Sequence, residues 1–195
     1  LPRIDRLFHT IATREGRNPA VLSQVVSMFL EQKELHSAQQ QLDNLKRRVP
    51  NSPEVVLLQA RIHAAQGKTN DAVKGLSSLI PAPKATANLE TDEDLRIITI
   101  IAGELQRLKQ YDPAEALYRR IVAAKPDAEF GLAVFLAARG KVAEAIQIGD
   151  RFSAKGQHVS AMNLGTAILN AAAGKSAPAQ VERIKAWYSA AERAD

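Results

Sequence analysis

The sequence predicts an all-α protein built from antiparallel helix pairs stacked in a row. Three observations carry this reading. The phrase Gly67-Lys68-Thr69-Asn70-Asp71-Ala72 returns as Gly140-Lys141-Val142-Ala143-Glu144-Ala145 and as Gly174-Lys175-Ser176-Ala177-Pro178-Ala179. One alanine of the phrase recurs at Ala38, Ala72, Ala114, Ala145 and Ala179, at intervals of 34, 42, 31 and 34 residues. Self-similarity at this period belongs to stacked helical hairpins. Apolar residues also recur at helical spacing, as in Ala114, Leu117, Tyr118 and Ile121, while strand-like alternation is absent.

Taken in order, the chain predicts eleven helices and no sheet. One period before Ala38 stands Ile4, and Phe8 and Ile11 match Leu42 and Leu45, so residues 1–17 are expected to hold the second helix (Pro2 to Arg14) of a truncated repeat. Repeats are expected at 18–51, 52–81, 92–126, 127–157 and 158–192 within a single array over 1–195. The incomplete start and the leading Leu1 point to a segment of a longer chain. Asn18-Pro19 and Ser52-Pro53 each put a capping side chain before a proline at the first helical position. Asp112-Pro113, and Ser176 near Pro178, resemble that arrangement at second helices. Thr91 and Asp94 have the spacing of a capping box. Gly67, Gly140 and Gly174 stand where first helices should stop, because glycine takes the left-handed turn there without a steric cost. The 42-residue interval holds eight extra residues. They are assigned to an inserted loop over 82–91, where Pro81 and Pro83 end the preceding helix.

These features resemble the tetratricopeptide repeat (TPR) family. Its unit has 34 residues, with a small residue near position 8, Ala near 20 and Pro near 32. Gln110 to Arg120, continued to Pro126, is the stretch most similar to the family pattern. Pro126 follows Ala114 by 12 residues, as Pro50 follows Ala38. The small residue 12 positions before each marker is Ala60, Ala102, Ala133 and Ala167, with Val26 in the first repeat. The fourth and fifth repeats lack the closing proline. The resemblance implies a right-handed superhelical array of about five repeats plus a leading half repeat. First helices would line its concave face.

Composition bounds the function. Cysteine is absent, which excludes disulfides, cysteine nucleophiles and thiolate metal sites. His9, His36, His63 and His158 lack metal-ligand spacing, and Gly-Lys-x-x-x-Ala lacks the strand, the earlier glycine and the hydroxyl residue of a phosphate loop. No Ser/His/Asp set stands in a supporting motif. The chain is therefore read as a non-enzyme with no cofactor. The net charge of +5 is mild, and much of it falls at helix carboxyl ends (Lys46, Arg47, Arg48, Arg119, Arg120), where cations complement the macrodipole. No aromatic residues interleave with it, which argues against nucleic acid as the partner. No apolar run approaches the roughly 20 residues that cross a bilayer, and no signal peptide is visible.

The expected function is a non-catalytic protein-interaction scaffold. Counted on the TPR pattern, the partner groove is assigned to Glu54, Leu57, Arg61, Arg96, Thr99, Arg107, Phe130, Val134, Leu164 and Ile168, with Ser23, Ser27 and Leu30 on the first repeat. A basic middle and an apolar carboxyl-terminal part suit an extended or helical peptide with acidic and hydrophobic residues. The family's carboxylate clamp for chaperone tails wants Lys and Asn where this chain has Ser23 and Ser27, so that ligand is not expected. An RNA-reading helical array, or the docking region of a larger multidomain enzyme, are the alternatives. Trp187 and Tyr188, in an expected last helix over 177–191, offer a route to self-association.

Overall fold

The computed structural model describes residues 18–83, 90–172 and 177–193. The helix expected between Pro2 and Arg14, the turn at Gly174 and most of the inserted loop lie outside the described residues. Among the described residues there are ten α-helices, one short 3-10 turn (Pro126–Ala128) and no strand. We number them α1 (Pro19–Glu31), α2 (Leu35–Arg48), α3 (Pro53–Ala65), α4 (Thr69–Ser78), α5 (Asp92–Arg107), α6 (Tyr111–Ala124), α7 (Glu129–Ala138), α8 (Val142–Ala154), α9 (His158–Ala172) and α10 (Pro178–Glu192).

The caps follow the local chemistry. Asn18 Oδ1 accepts from the Ala20 amide at 3.0 Å and Ser52 Oγ from the Glu54 amide at 3.3 Å, each ahead of a proline in the first turn. Thr91 and Asp94 exchange side-chain to backbone bonds, both at 3.1 Å, closing the capping box of α5. Asp112 is a correction: α6 already begins at Tyr111, so Asp112 and Pro113 are its second and third residues and not a cap with its proline. At α10, Ala177 takes the cap position, and its amide donates to Gln180 Oε1 at 2.8 Å.

One turn geometry closes helix after helix. Lys33, Gly67, Lys109, Gly140 and Gly156 all have positive φ, between 60° and 80°. In each case the next amide reaches back five residues: Glu34 to Phe29, Lys68 to His63, Gln110 to Leu105, Lys141 to Leu136 and Gln157 to Phe152, at 2.8–2.9 Å. This is the Schellman closure, which satisfies the orphan carbonyls of the finished helix. Five residues after each left-handed position comes Ala38, Ala72, Ala114, Ala145 or Ala161, every one fully buried. The repeated alanine is the small residue that lets the second helix of each pair approach the first.

The turn at Gly156 joins α8 to α9, a junction the sequence reading did not expect to turn this way. The last marker is also corrected. Ala179 is exposed because it is the second residue of α10, whereas Ala38, Ala72, Ala114 and Ala145 are each the fourth residue of their helix. The inward residues of α10 are Ile184, Trp187 and Ala191.

Packing divides the chain into two compact units, 1–82 with 103–111, and 83–102 with 112–195; the division falls inside α5, after Ala102. In the first unit, α1 packs on α2 and α3, α2 on α3, and α3 on α4. Its core is Leu22, Val25, Val26 and Phe29 of α1, Leu42 and Leu45 of α2, and Val55, Leu58 and Ile62 of α3. In the second unit α7, α8 and α9 pack mutually, and α10 packs on α8 and α9. Every such pair is separated by no more than one intervening helix, the pattern of a repeat array.

Trp187 locks the end of the second unit. Its ring lies against Gly149 of α8, and a Cβ on Gly165 of α9 would stand 3.2 Å from Trp187 Cε3 and 2.6 Å from Ile184 Cγ2. The indole Nε1 donates to Asp150 Oδ1 at 3.1 Å, and Arg183 Nε donates to the same oxygen at 2.8 Å. Trp187 is 3% exposed. Of the two aromatic residues expected to offer self-association through this helix, Trp187 is buried within the unit and Tyr188 is half-buried.

Two outcomes test this account. Lys33→Gly and Lys109→Gly should each stabilise the protein by about 0.5–1 kcal/mol, and Gly67→Ala should destabilise it by about 1 kcal/mol, because an L side chain resists the left-handed region. Urea denaturation reads both signs. Trp187→Ala should cost about 3–5 kcal/mol, the range for emptying a buried aromatic site; a loss below about 1 kcal/mol would show that the ring does not fasten α10.

Candidate functional site

The first unit places first-helix residues of three successive pairs around one recess. Ser27 and Leu30 come from α1, Arg61 and Ala64 from α3, and Arg107 and Leu108 from the end of α5. The volume is about 390 Å³. A second recess of about 500 Å³ shares Ser27 and runs past Ser23, Met28 and Glu54. Glu54 is exposed and Leu57 half-buried. Of the residues assigned to a groove from sequence, Arg61 and Arg107 therefore meet at the first recess, with Ser27 and Leu30, and Glu54 lines the second.

A residue the sequence reading missed organises the first recess. Glu104 of α5 has a side chain only 10% exposed. Arg61 Nε and Nη2 donate to its Oε1 at 2.8 and 2.6 Å. Arg107 Nε and Nη2 donate to its Oε2 at 3.1 and 2.5 Å. One carboxylate is clamped by two guanidiniums, one on each oxygen. Charge-assisted pairs are the strong ones, and here they offset the cost of taking the carboxylate out of water. Glu104 could have been noticed as the lone acid inside the apolar run Ile97–Leu105. Its two partners, three and 43 residues away, could not be read from that run.

The clamp revises the charge of the groove. Three cations were counted there, yet Arg61 and Arg107 share Glu104, and Arg96 is paired with Glu93 at 2.7 Å. The triad keeps one net positive charge, with the Arg107 side chain 59% exposed, and Glu31 of α1 lines the same recess and balances it. Among the described residues, neither Nη1 group is hydrogen-bonded, so each guanidinium keeps an edge that can donate.

Arg96, Thr99, Phe130 and Val134 belong to the second unit. Arg96, Thr99 and Phe130 are exposed there and Val134 is half-buried. Leu164 and Ile168 are corrections: both are fully buried, because α9 is packed against α7, α8 and α10 at once. Counted from the left-handed Gly156, they also fall on the stripe that second helices bury around Leu42 and Leu45. They are core, not groove.

Two comparisons return nothing: no family model and no curated protein matches the sequence. Solved structures do match. A crystal structure of MamA protein aligns with a TM-score of 0.50 and 15% identity, covering 92% of this chain and 92% of that chain. A second crystal structure of MamA aligns at 0.48 and 15%, covering 87% and 93%. The fold is TPR-like. At this identity the likeness speaks to fold alone, and the side chains of the recess stand on their own chemistry.

Several arginines of the second unit are also paired locally. In the second unit Arg120 pairs with Glu90 and Arg151 with Glu129, both at 2.7 Å, and Arg183 with Asp150 at 2.8 Å. Glu115 of α6 holds Lys141 at 2.9 Å and Arg119 at 2.7 Å, and Arg119 reaches on to Glu144 at 3.2 Å. Among the described residues, no group of three or more His, Asp or Glu side chains could hold a metal ion, and no helix is long and apolar enough to cross a membrane.

The hydrogen bonds from Lys141 and then Arg119 hold the Glu115 carboxyl below the ordinary glutamate range. A carboxyl depressed in the folded state contributes stability that is full above its unfolded value and is lost as pH falls through the folded value. Glu115→Gln should therefore be less stable than the parent at neutral pH, with the gap closing as pH drops below the ordinary glutamate range. Urea midpoints between pH 7 and pH 3 read it. A gap that stays constant with pH would refute the assignment.

Proposed function

We propose that this chain is a non-catalytic scaffold that holds a segment of a protein partner against its first helices. The observation that carries the proposal is the recess walled by α1, α3 and the end of α5, where apolar Leu30, Ala64 and Leu108 share the lining with the half-exposed Arg107 and with Glu31. Small and apolar walls accept a peptide's side chains, and a fixed guanidinium selects an acidic one. The occupant that fits is a peptide segment carrying an acidic residue beside apolar ones. The local pairing of six arginines also supports protein over RNA. Phosphate-driven binding needs a basic stripe, and in this chain Arg61, Arg96, Arg119, Arg120, Arg151 and Arg183 are each spent on a nearby carboxylate.

The test is selection of a random twelve-residue peptide library on the immobilised chain, followed by titration of the peptides recovered. Acidic-apolar sequences are expected. Arg107→Gln should weaken them about tenfold, the value of one lost charge-assisted contact. Arg61 still holds Glu104 Oε1 in that variant while Oε2 loses its arginine, so the melting temperature should fall, and affinities are compared well below both melts. Peptides that bind the variant unchanged would remove the recess from the function. Tight binding of a single-stranded oligonucleotide that collapses with added salt would replace the reading with RNA recognition.

A further inference from the structure

The recess that shares Ser27 with the first one has a chemistry of its own. Its volume is about 500 Å³, and it is lined by Ala20, Ser23, Gln24, Ser27 and Met28 of α1 and by Glu54 of α3. The two recesses follow one another along α1. Ser23 and Gln24 stand in the second, and Leu30 and Glu31, seven positions on, stand in the first. At the helical rise per residue that step is about 10 Å.

The polar groups of the second recess are set to accept. A hydroxyl has one proton to give. Ser23 Oγ donates its proton to the Pro19 carbonyl and Ser27 Oγ to the Ser23 carbonyl, each at 3.1 Å. Neither serine therefore has a proton left for a ligand, and each oxygen can only accept from one. Glu54 adds a carboxylate, the one charged group of the lining. It is exposed, and no cation pairs with it among the described residues. Its place in the first turn of α3 complements the helix dipole, which accounts for an acid there but leaves its charge unpaired. Gln24, whose amide can present either end, is the other polar side chain of the lining, and Ala20 and Met28 are its apolar part. We propose that this second recess takes a lysine or arginine side chain of the partner segment. The aliphatic stem lies along Ala20 and Met28 and the charged head meets Glu54, with the serine oxygens as further acceptors. The inference rests on the proposed peptide-binding function and deepens it: the segment that brings an acid to Arg107 brings a base to Glu54. An extended chain covers about 10 Å in roughly three residues, so the two charges stand about two to four residues apart in the partner. A segment laid the other way round would set its acid against Glu54 and its base against Arg107, so the two subsites also fix its direction.

Peptides recovered from the library on the parent chain should carry Lys or Arg at that distance from the acid. One such peptide, and its version with the basic residue replaced by glutamine, are titrated on the parent and on Glu54→Gln. The variant should bind the original peptide about fivefold more weakly, the usual size for an ion pair at a partly exposed site, and should bind the glutamine peptide as the parent does. Comparing the two peptides on each protein cancels whatever the substitution does to the helix. On Glu54→Lys the repeated selection should exchange the basic residue for an acidic one. Recovered peptides without a basic residue, an equal loss for both peptides, or a loss for neither would each overturn the inference. Where such peptides still weaken on Arg107→Gln, the peptide-binding function stands without it. Recovery of no peptide on the parent chain removes that function, and the second subsite with it.

Discussion

The structure depends on a closed turn followed, five residues later, by an alanine. At Lys33, Gly67, Lys109, Gly140 and Gly156 one residue enters the left-handed region and the next amide reaches back to cap the helix just finished. That closure fixes where the following helix starts, and hence which of its residues faces backward. The residue so placed is Ala38, Ala72, Ala114, Ala145 or Ala161, and in each case nothing larger than a methyl group fills the gap. Close pairing then turns the larger side chains, such as Phe29, Leu42 and Leu45, toward a shared core. A pair cannot bury that face by itself, so neighbouring pairs must meet.

The same geometry explains the recess. When α1 and α3 lean on one another through Val26, Phe29 and Ile62, their other sides are left with Ser27, Leu30, Arg61 and Ala64. No core claims these residues. Glu104 then imposes order on them. A carboxylate this buried needs every lone pair engaged, and it recruits Arg61 across the helix interface and Arg107 along its own helix. The two long, flexible arginines lose their freedom during folding and not during binding. A partner seated at the recess would meet preset donors and would lose less ordering entropy on arrival.

The helix-pair architecture was legible because it is written in residue type as well as in period. Ala38, Ala72, Ala114 and Ala145 keep their spacing, and Asn18, Ser52 and Thr91 are cap residues that behaved as such. Where another residue does the same job, the text is silent. Lys33 and Lys109 occupy the left-handed turn without being glycine, so only coordinates reveal that all five turns are equivalent. The converse error occurs at Ala179, where the echo of Gly-Lys-x-x-x-Ala carried over to a helix whose start is set by Pro178. For the recess, spacing named Arg61 and Arg107 but not the acid between them, since the reach from Arg61 to Glu104 is a tertiary fact. Leu164 and Ile168 misled because periodicity gives a face without saying what covers it. Here that is a set of three neighbouring helices.

A chain with 5% aromatic residues fills space largely by choosing where to be small. Small residues then serve distinct purposes that composition does not separate. Alanines after the turns admit a neighbouring helix. Gly149 and Gly165 admit the one tryptophan, which becomes the bolt of the second unit because nothing with a Cβ could lie beneath it. Gly103 admits nothing from within the described chain. In the first two cases a larger side chain would collide with the protein itself, so fold stability accounts for the choice. In the third it would meet open space and would strengthen the helix, so stability argues the other way.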